Sequence, residues 1–234
     1  GKTFQTLFCE AFLNPGDAVL VFSPHFPTYG PNIARRGARM VLSPLRQERE
    51  FRPNLDDVRS FLDRERGAKA IFLNSPHNPT GGVATQDDLR ELANLVRGRD
   101  VAVFSDEPYD QMVWNGRHRS LLAEPDMLDH CVAAYTFSKS FSIDADLRKR
   151  SLESRLGVAG GVVQHAGIAA LKHDRAERDE RMATFRRKVE LLVDGLKRVD
   201  GVECLMPAGT FYVFPNVRAV CNRLGITSHG LALY

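Results

Sequence analysis

The stretch Cys131-Val132-Ala133-Ala134-Tyr135-Thr136-Phe137-Ser138-Lys139-Ser140 is a short apolar run that ends by delivering a lysine. Cys131 to Tyr135 reads as a buried strand, and Lys139 stands just past its end. Burial strips water from an ammonium and lowers its pKa, which favours the neutral, nucleophilic amine. An amine so placed can condense with a carbonyl compound. The plainer alternative is a lysine that merely begins a surface loop. What stands upstream decides between them.

Going back along the chain, apolar runs alternate with helical patterns. Ala18 to Phe22, Arg39 to Leu42, Ala70 to Leu73 and Val101 to Phe104 read as strands. Between them, Lys2 to Leu13, Thr28 to Arg36, Leu55 to Arg66 and Thr85 to Val96 read as helices. Gly37 is expected to cap the second helix and Asn54 to open the third, with Gly67 ending it. Thr85-Gln86-Asp87-Asp88 has the form of a capping box. This alternation predicts an α/β fold: a mainly parallel sheet covered by helices. Ligands of such sheets bind outside the carboxyl ends of the strands. Phe26, Asn78, Asp106 and Lys139 each follow one of these runs. Four strand ends would thus aim an aromatic ring, an amide, a carboxylate and an amine at one crevice.

After Gly160 the pattern changes. Val162 to Val199 reads as one long, charge-rich helix, followed by short strands at Val202 to Leu205 and Phe211 to Phe214. The expected organisation is a large domain over 1–160, then a connecting helix and an incomplete, smaller α+β domain over 161–234. The chain opens at Gly1-Lys2-Thr3 without an initiator methionine and closes at Leu231-Ala232-Leu233-Tyr234, so a fragment is expected.

Bulk properties narrow the function classes. The 234 residues are 43% hydrophobic and 26% charged, ordinary for a soluble globular protein. A formal net charge of +3 is too small to argue for nucleic acid. The basic residues of His173 to Arg187 alternate with acids, as on a solvated helix face. No apolar run is long enough to span a membrane. Cys9, Cys131, Cys204 and Cys221 have neither metal-site nor disulfide-framework spacing, which points to a reducing, cytoplasmic compartment and to no metal site.

Two loops carry further chemistry. Asn74-Ser75-Pro76-His77-Asn78-Pro79-Thr80-Gly81-Gly82 is stiffened by its prolines and leaves Asn78 placed to donate to a ligand oxygen. Asp106 begins Asp106-Glu107-Pro108-Tyr109; a carboxylate at a buried strand end needs a positive partner, unless it only caps the next turn. Tyr109 lies three residues on, and one helical turn would put both on the same side.

In this order the motifs resemble the fold-type I, class I/II pyridoxal-phosphate aminotransferases, the aspartate aminotransferase group. The matching segments are Pro24-His25-Phe26-Pro27-Thr28-Tyr29, Asn78-Pro79-Thr80-Gly81, Ser105-Asp106-Glu107-Pro108-Tyr109, Thr136-Phe137-Ser138-Lys139-Ser140 and Gly209-Thr210-Phe211-Tyr212-Val213-Phe214-Pro215. The resemblance implies transamination between an amino acid and a 2-oxo acid, with pyridoxal 5′-phosphate as cofactor and a homodimer as the assembly. By the same resemblance Lys139 would form the Schiff base and shuttle a proton, and Asp106 would pair with the pyridine nitrogen. Tyr109 and Asn78 would bond the phenolic oxygen, Phe26 would stack on the ring, Thr136 would contact the phosphate, and Gly1 and Lys2 would be the remnant of a phosphate-cradling turn.

The match departs from the family after the lysine. The family continues with a Gly-Trp-Arg-x-Gly segment whose arginine grips the phosphate. Here Ser142 to Arg155 contains no tryptophan and no such glycine, and Arg148 falls one position beyond the expected place. Two other readings follow. One is a remnant or interaction domain without catalysis. The other is a P-loop nucleotidase, with Gly1-Lys2-Thr3 as the tail of a Walker A motif and Val101 to Glu107 as a Walker B strand.

Overall fold

The structure, a computed structural model, describes residues 2–143, 161–173 and 175–231. Five strands, β1 (Ala18–Ser23), β2 (Arg39–Pro44), β3 (Ala68–Asn74), β4 (Ala102–Asp106) and β5 (Cys131–Ala134), form a parallel sheet in the order β2-β1-β3-β4-β5. Helices α1 (Lys2–Phe12), α2 (Tyr29–Arg35), α3 (Leu55–Arg64) and α4 (Gln86–Val96) cover it. The expected α/β architecture is therefore present.

The inner strands β1, β3 and β4 are largely buried because both of their faces are packed, while the edge strand β2 is mostly exposed or half-buried. In β1, Ala18, Leu20 and Phe22 enter a core with Val58 and Phe61 of α3 and Leu89 and Leu92 of α4. The alternate residues Val19 and Val21 join Phe8 and Cys9 of α1 and Ile33 of α2. Burying one such side chain contributes about 1.5–3 kcal/mol. Two filled faces, more than strand propensity, therefore hold the sheet.

Local signals set the helix ends with mixed success. Thr85 and Asp88 make both bonds of the expected capping box of α4. Gly37, with φ +71°, follows α2 and donates to the Ala34 carbonyl at 2.9 Å. Asn54 precedes α3, but its side chain makes no capping bond. Gly67 ends nothing, since α3 stops at Arg64; a Cβ on it would meet the Gly16 carbonyl at 2.8 Å, so it serves a close backbone crossing.

Register puts the strand ends level. Asn74 of β3 lies opposite Asp106 of β4, and Asp106 lies opposite Ala134 of β5. The next segments out, including Asn78 and Lys139, leave the sheet at one edge.

Beyond residue 160 come α5 (Gly161–His173), α6 (Arg175–Leu196), α7 (Arg218–Leu224) and the single turn α8 (Ser228–Leu231). The long helix expected over Val162 to Val199 is described as α5 and α6, with residue 174 outside the described residues. Most of α6 faces solvent, while Met182, Val189 and Val193 are buried. The strands expected at Val202 to Leu205 and Phe211 to Phe214 do not form. One antiparallel bridge remains, Glu203 with Asn216, through bonds of 3.0 and 2.7 Å. The physical reason is at Thr210, whose φ is +65° and whose Oγ1 accepts from the Tyr212 amide at 3.1 Å, turning the chain out of extension. A lone two-stranded ribbon is also marginal in water. Among the described residues no helix is long and apolar enough to cross a membrane.

Candidate active site

A cavity of ≈ 320 Å³ opens at the carboxyl edge of the sheet. Lys2, Phe26, Asn78, Asp106, Tyr109, Thr136 and Lys139 all line it. The structure thus brings together seven of the eight residues picked from the sequence. The eighth, Gly1, lies outside the described residues, as do residues 144–160, which include Arg148 and most of the segment that departs from the family pattern.

Lys139 is half-buried, not buried as expected, because the cavity is open beside it. Its Nζ stands 5.6 Å from the ring centroid of Tyr109 and 5.8 Å from that of Phe211. Both rings turn a negative face to an ammonium at that distance. Three residues earlier, Thr136 donates from Oγ1 to Ser138 Oγ at 3.0 Å and accepts from the Ser138 amide at 3.2 Å, fixing the turn that leads to the lysine.

Asp106 ends β4 with one side-chain donor, the Tyr29 hydroxyl, at 2.5 Å. Burial pushes its carboxyl up to about 6; the Tyr29 bond and the charge of Lys139 pull the other way and do not win. A carboxylate in that condition is short of positive charge. Tyr29 is buried in turn, and burial followed by the charge of Asp106 raises its hydroxyl well above the ordinary phenol.

Asn78 and Tyr109 meet at the opposite wall. Asn78 Nδ2 donates to the Tyr109 hydroxyl at 3.3 Å, and the Tyr212 hydroxyl lies 3.1 Å from the same atom. Burial, then the Tyr212 bond, raises the Tyr109 pKa, while the Asn78 bond lowers it. Asn74 joins this wall to the strand below: its Oδ1 accepts from the Asn78 amide at 2.8 Å and its Nδ2 donates to the Asp106 carbonyl at 2.7 Å. Behind the loop, His77 is buried and paired with Thr80 Oγ1 at 2.8 Å; burial lowers its pKa to about 3, so it is a neutral brace.

The opposite side of β4 holds a second carboxylate. Glu107 is buried and accepts from Ser105 Oγ at 2.7 Å, Ser120 Oγ at 2.8 Å and His118 Nε2 at 2.7 Å. Burial opposes its ionisation, yet the His118 and serine bonds outweigh burial and lower its pKa.

Four of these partners were not picked out from the sequence. Tyr29 closes the first motif quoted above, three residues after Phe26, a spacing that a helical turn brings to one side. Asn74 opens the proline-stiffened loop. Glu107 adjoins Asp106, and alternation along a strand sends it to the other face. Tyr212 lies in the last motif quoted above, but its approach to Tyr109 across 103 residues is a tertiary contact that no local pattern gives.

Chemically, the cavity joins an amine, a carboxylate with no ion-pair partner among the described residues, a donor pair for an oxygen and an aromatic face. Among the described residues no group of three or more His, Cys, Asp or Glu could hold a metal ion. The fold and cavity define an α/β protein with a polar and aromatic cavity at the carboxyl edge of its parallel sheet.

Residues 2–146 match the family described as aminotransferase class I and II, and the chain belongs to that family. It is 34% identical to the aspartate aminotransferase of Thermotoga maritima over 92% of its own length and 60% of the relative's. It is 32% identical to the LL-diaminopimelate aminotransferase of Syntrophobacter fumaroxidans, covering 88% and 56%. Its structure superposes on the aromatic aminotransferase from Pyrococcus horikoshii OT3 with a TM-score of 0.84 at 29% identity, covering 93% of this chain and 61% of that one. The chain spans about three-fifths of the length of these relatives. The family match takes in Lys2-Thr3 and the whole of Val101 to Glu107, on which the nucleotidase alternative relied, and sets that reading aside. Members of the family depend on pyridoxal phosphate.

Proposed function

We propose that this chain is the cofactor-binding part of a pyridoxal-phosphate aminotransferase that moves an amino group between an amino acid and a 2-oxo acid. The observation that carries the reading is the convergence of Lys139, Asp106, Tyr109, Asn78 and Phe26 on one cavity from separate strand ends. The donor set fits the group. Asp106 has no ion-pair partner among the described residues, and a protonated pyridine nitrogen would be one; Tyr109 and Asn78 offer donors to a phenolic oxygen; Phe26 offers a ring face.

When bound, pyridoxal phosphate supplies a carbonyl carbon and a ring that accepts the electron pair left on Cα. Lys139 Nζ anchors the group and carries the proton to and from Cα. Asp106 holds the proton on the ring nitrogen, and a cation beside it would bring its pKa back down from about 6. Tyr29 holds that carboxylate in position. Phe26 packs on the ring and keeps water from it. Thr136 and Lys2, at the first turn of α1, line the same cavity and would hold the phosphate.

The same reading takes residues 1–160 as the large domain and 161–234 as a connecting helix and part of a small one. It takes the protein as a homodimer, and the free thiols of its four buried cysteines support a reducing, cytoplasmic setting.

The test is reconstitution with pyridoxal phosphate followed by borohydride reduction and peptide mapping. The cofactor should be fixed on Lys139 and on no other residue, and Lys139→Ala should lose both fixation and the visible band. Absent fixation would return the chain to an interaction domain without catalysis.

A further inference from the structure

The Gly209 to Pro215 motif has no part in the reading above, yet it enters the site. The Gly209 amide donates to the Gly81 carbonyl at 3.0 Å, the Thr210 amide to the Met112 carbonyl at 2.7 Å, and Trp114 Nε1 to the Thr210 carbonyl at 2.8 Å. A Cβ on Gly209 would meet the Met112 carbonyl at 2.6 Å, so the two backbones touch with no room for a side chain. The seam fixes Phe211 and Tyr212 against the wall that holds Asn78 and Tyr109. The Tyr212 hydroxyl ends 3.1 Å from that of Tyr109, with the rings edge to face at 5.8 Å.

We propose that Tyr212 is a positioning residue: it donates to the Tyr109 oxygen and so directs the Tyr109 proton to an oxygen of the bound ligand. This rests on the aminotransferase reading. A phenolic hydroxyl has one proton and two acceptor lone pairs. Asn78 Nδ2 takes one lone pair of Tyr109. Without a ligand, either tyrosine can donate to the other. An anionic oxygen in the cavity decides the matter, since it draws the Tyr109 proton and leaves Tyr212 only the donor role. Two donors on one phenol oxygen make its own O–H a stronger donor, the cooperativity of a hydrogen-bonded chain.

The test uses the full chain loaded with pyridoxal phosphate and reads two quantities besides turnover: the dissociation constant and the pH midpoint of the visible band. Donation to the phenolic oxygen favours the deprotonated form and lowers that midpoint. Tyr212→Phe removes one hydroxyl and keeps the ring. It should raise the midpoint by about half to one pH unit and weaken binding by about two- to tenfold. In a Tyr109→Phe background the same change should do neither, because the group it acts through is gone. An unmoved midpoint, or an equal effect in both backgrounds, overturns the proposal. A parent chain with no band at any pH, and no cofactor fixed by borohydride, overturns the cofactor reading and this inference with it. A parent that binds while Tyr212→Phe behaves identically overturns this inference alone.

Discussion

Asp106 and Glu107 are consecutive carboxylates at the end of one strand, and their environments drive them in opposite directions. Asp106 faces the cavity, has one donor, and is pushed up to about 6 by burial. Glu107 faces the other side, is also buried, has three donors, and is lowered. Burial therefore does not fix the charge state; the count of donors does. Glu107 is complete within the protein and ties β4 to the loop through His118 and Ser120. Asp106 has no ion-pair partner among the described residues, a condition that suits a ligand site. One side of the strand end is closed off by its own donors and the other is left open to the cavity.

Alanine at each position should separate the two roles most sharply. On the proposed function, Asp106→Ala should cut transamination by at least about 10²-fold, since it removes the charge that would face the cofactor ring. Borohydride fixation at Lys139 should persist and the fold should hold. Turnover near that of the parent would take Asp106 out of the mechanism.

Glu107→Ala should do the reverse in kind. It strands the buried Ser105 hydroxyl and takes the acceptor from half-buried His118 and Ser120, at about 1–3 kcal/mol for a buried group left unsatisfied. The denaturation midpoint should fall strongly, and Glu107→Gln, which keeps an acceptor for the serines, should recover part of the loss. If Glu107→Ala unfolds at the same denaturant concentration as the parent, the buried network is not a structural support.

The fold was readable in the sequence because its strands are built around apolar runs and one helix start is chemically marked, at Thr85 with Asp88. The four strand-end residues were readable because parallel sheets place ligands at one edge. Less readable was whatever depends on which face a neighbour takes. Nothing local says that Asp106 will be left short of charge while Glu107 is satisfied, because the donors Tyr29, His118 and Ser120 arrive through tertiary packing. Phe211 to Phe214 misled for a related reason: its aromatic and β-branched residues have strand character, but Thr210 turns the chain and Tyr212 is spent on the site. Propensity yields there to packing.

The smallest effect sharpens the comparison most, because it changes one donor and no charge. Tyr29→Phe removes the hydroxyl on Asp106 and should raise that carboxyl above its value of about 6 by up to about one unit. A carboxyl raised on folding contributes stability that is fully present below its unfolded pKa and is lost as pH climbs through the folded one. The cofactor-free parent should therefore weaken between about pH 4 and pH 7, and Tyr29→Phe should lose more than the parent above that window and little more below it. Asp106→Asn supplies the control: with no charge to desolvate, it should exceed the parent by about 1–3 kcal/mol near pH 8 and match it near pH 4. Urea midpoints for the three proteins at both pH values decide the point. A Tyr29→Phe cost that is the same at both would mean the tyrosine only fills space, and Asp106 would then be no more tuned by its one donor than any buried carboxyl.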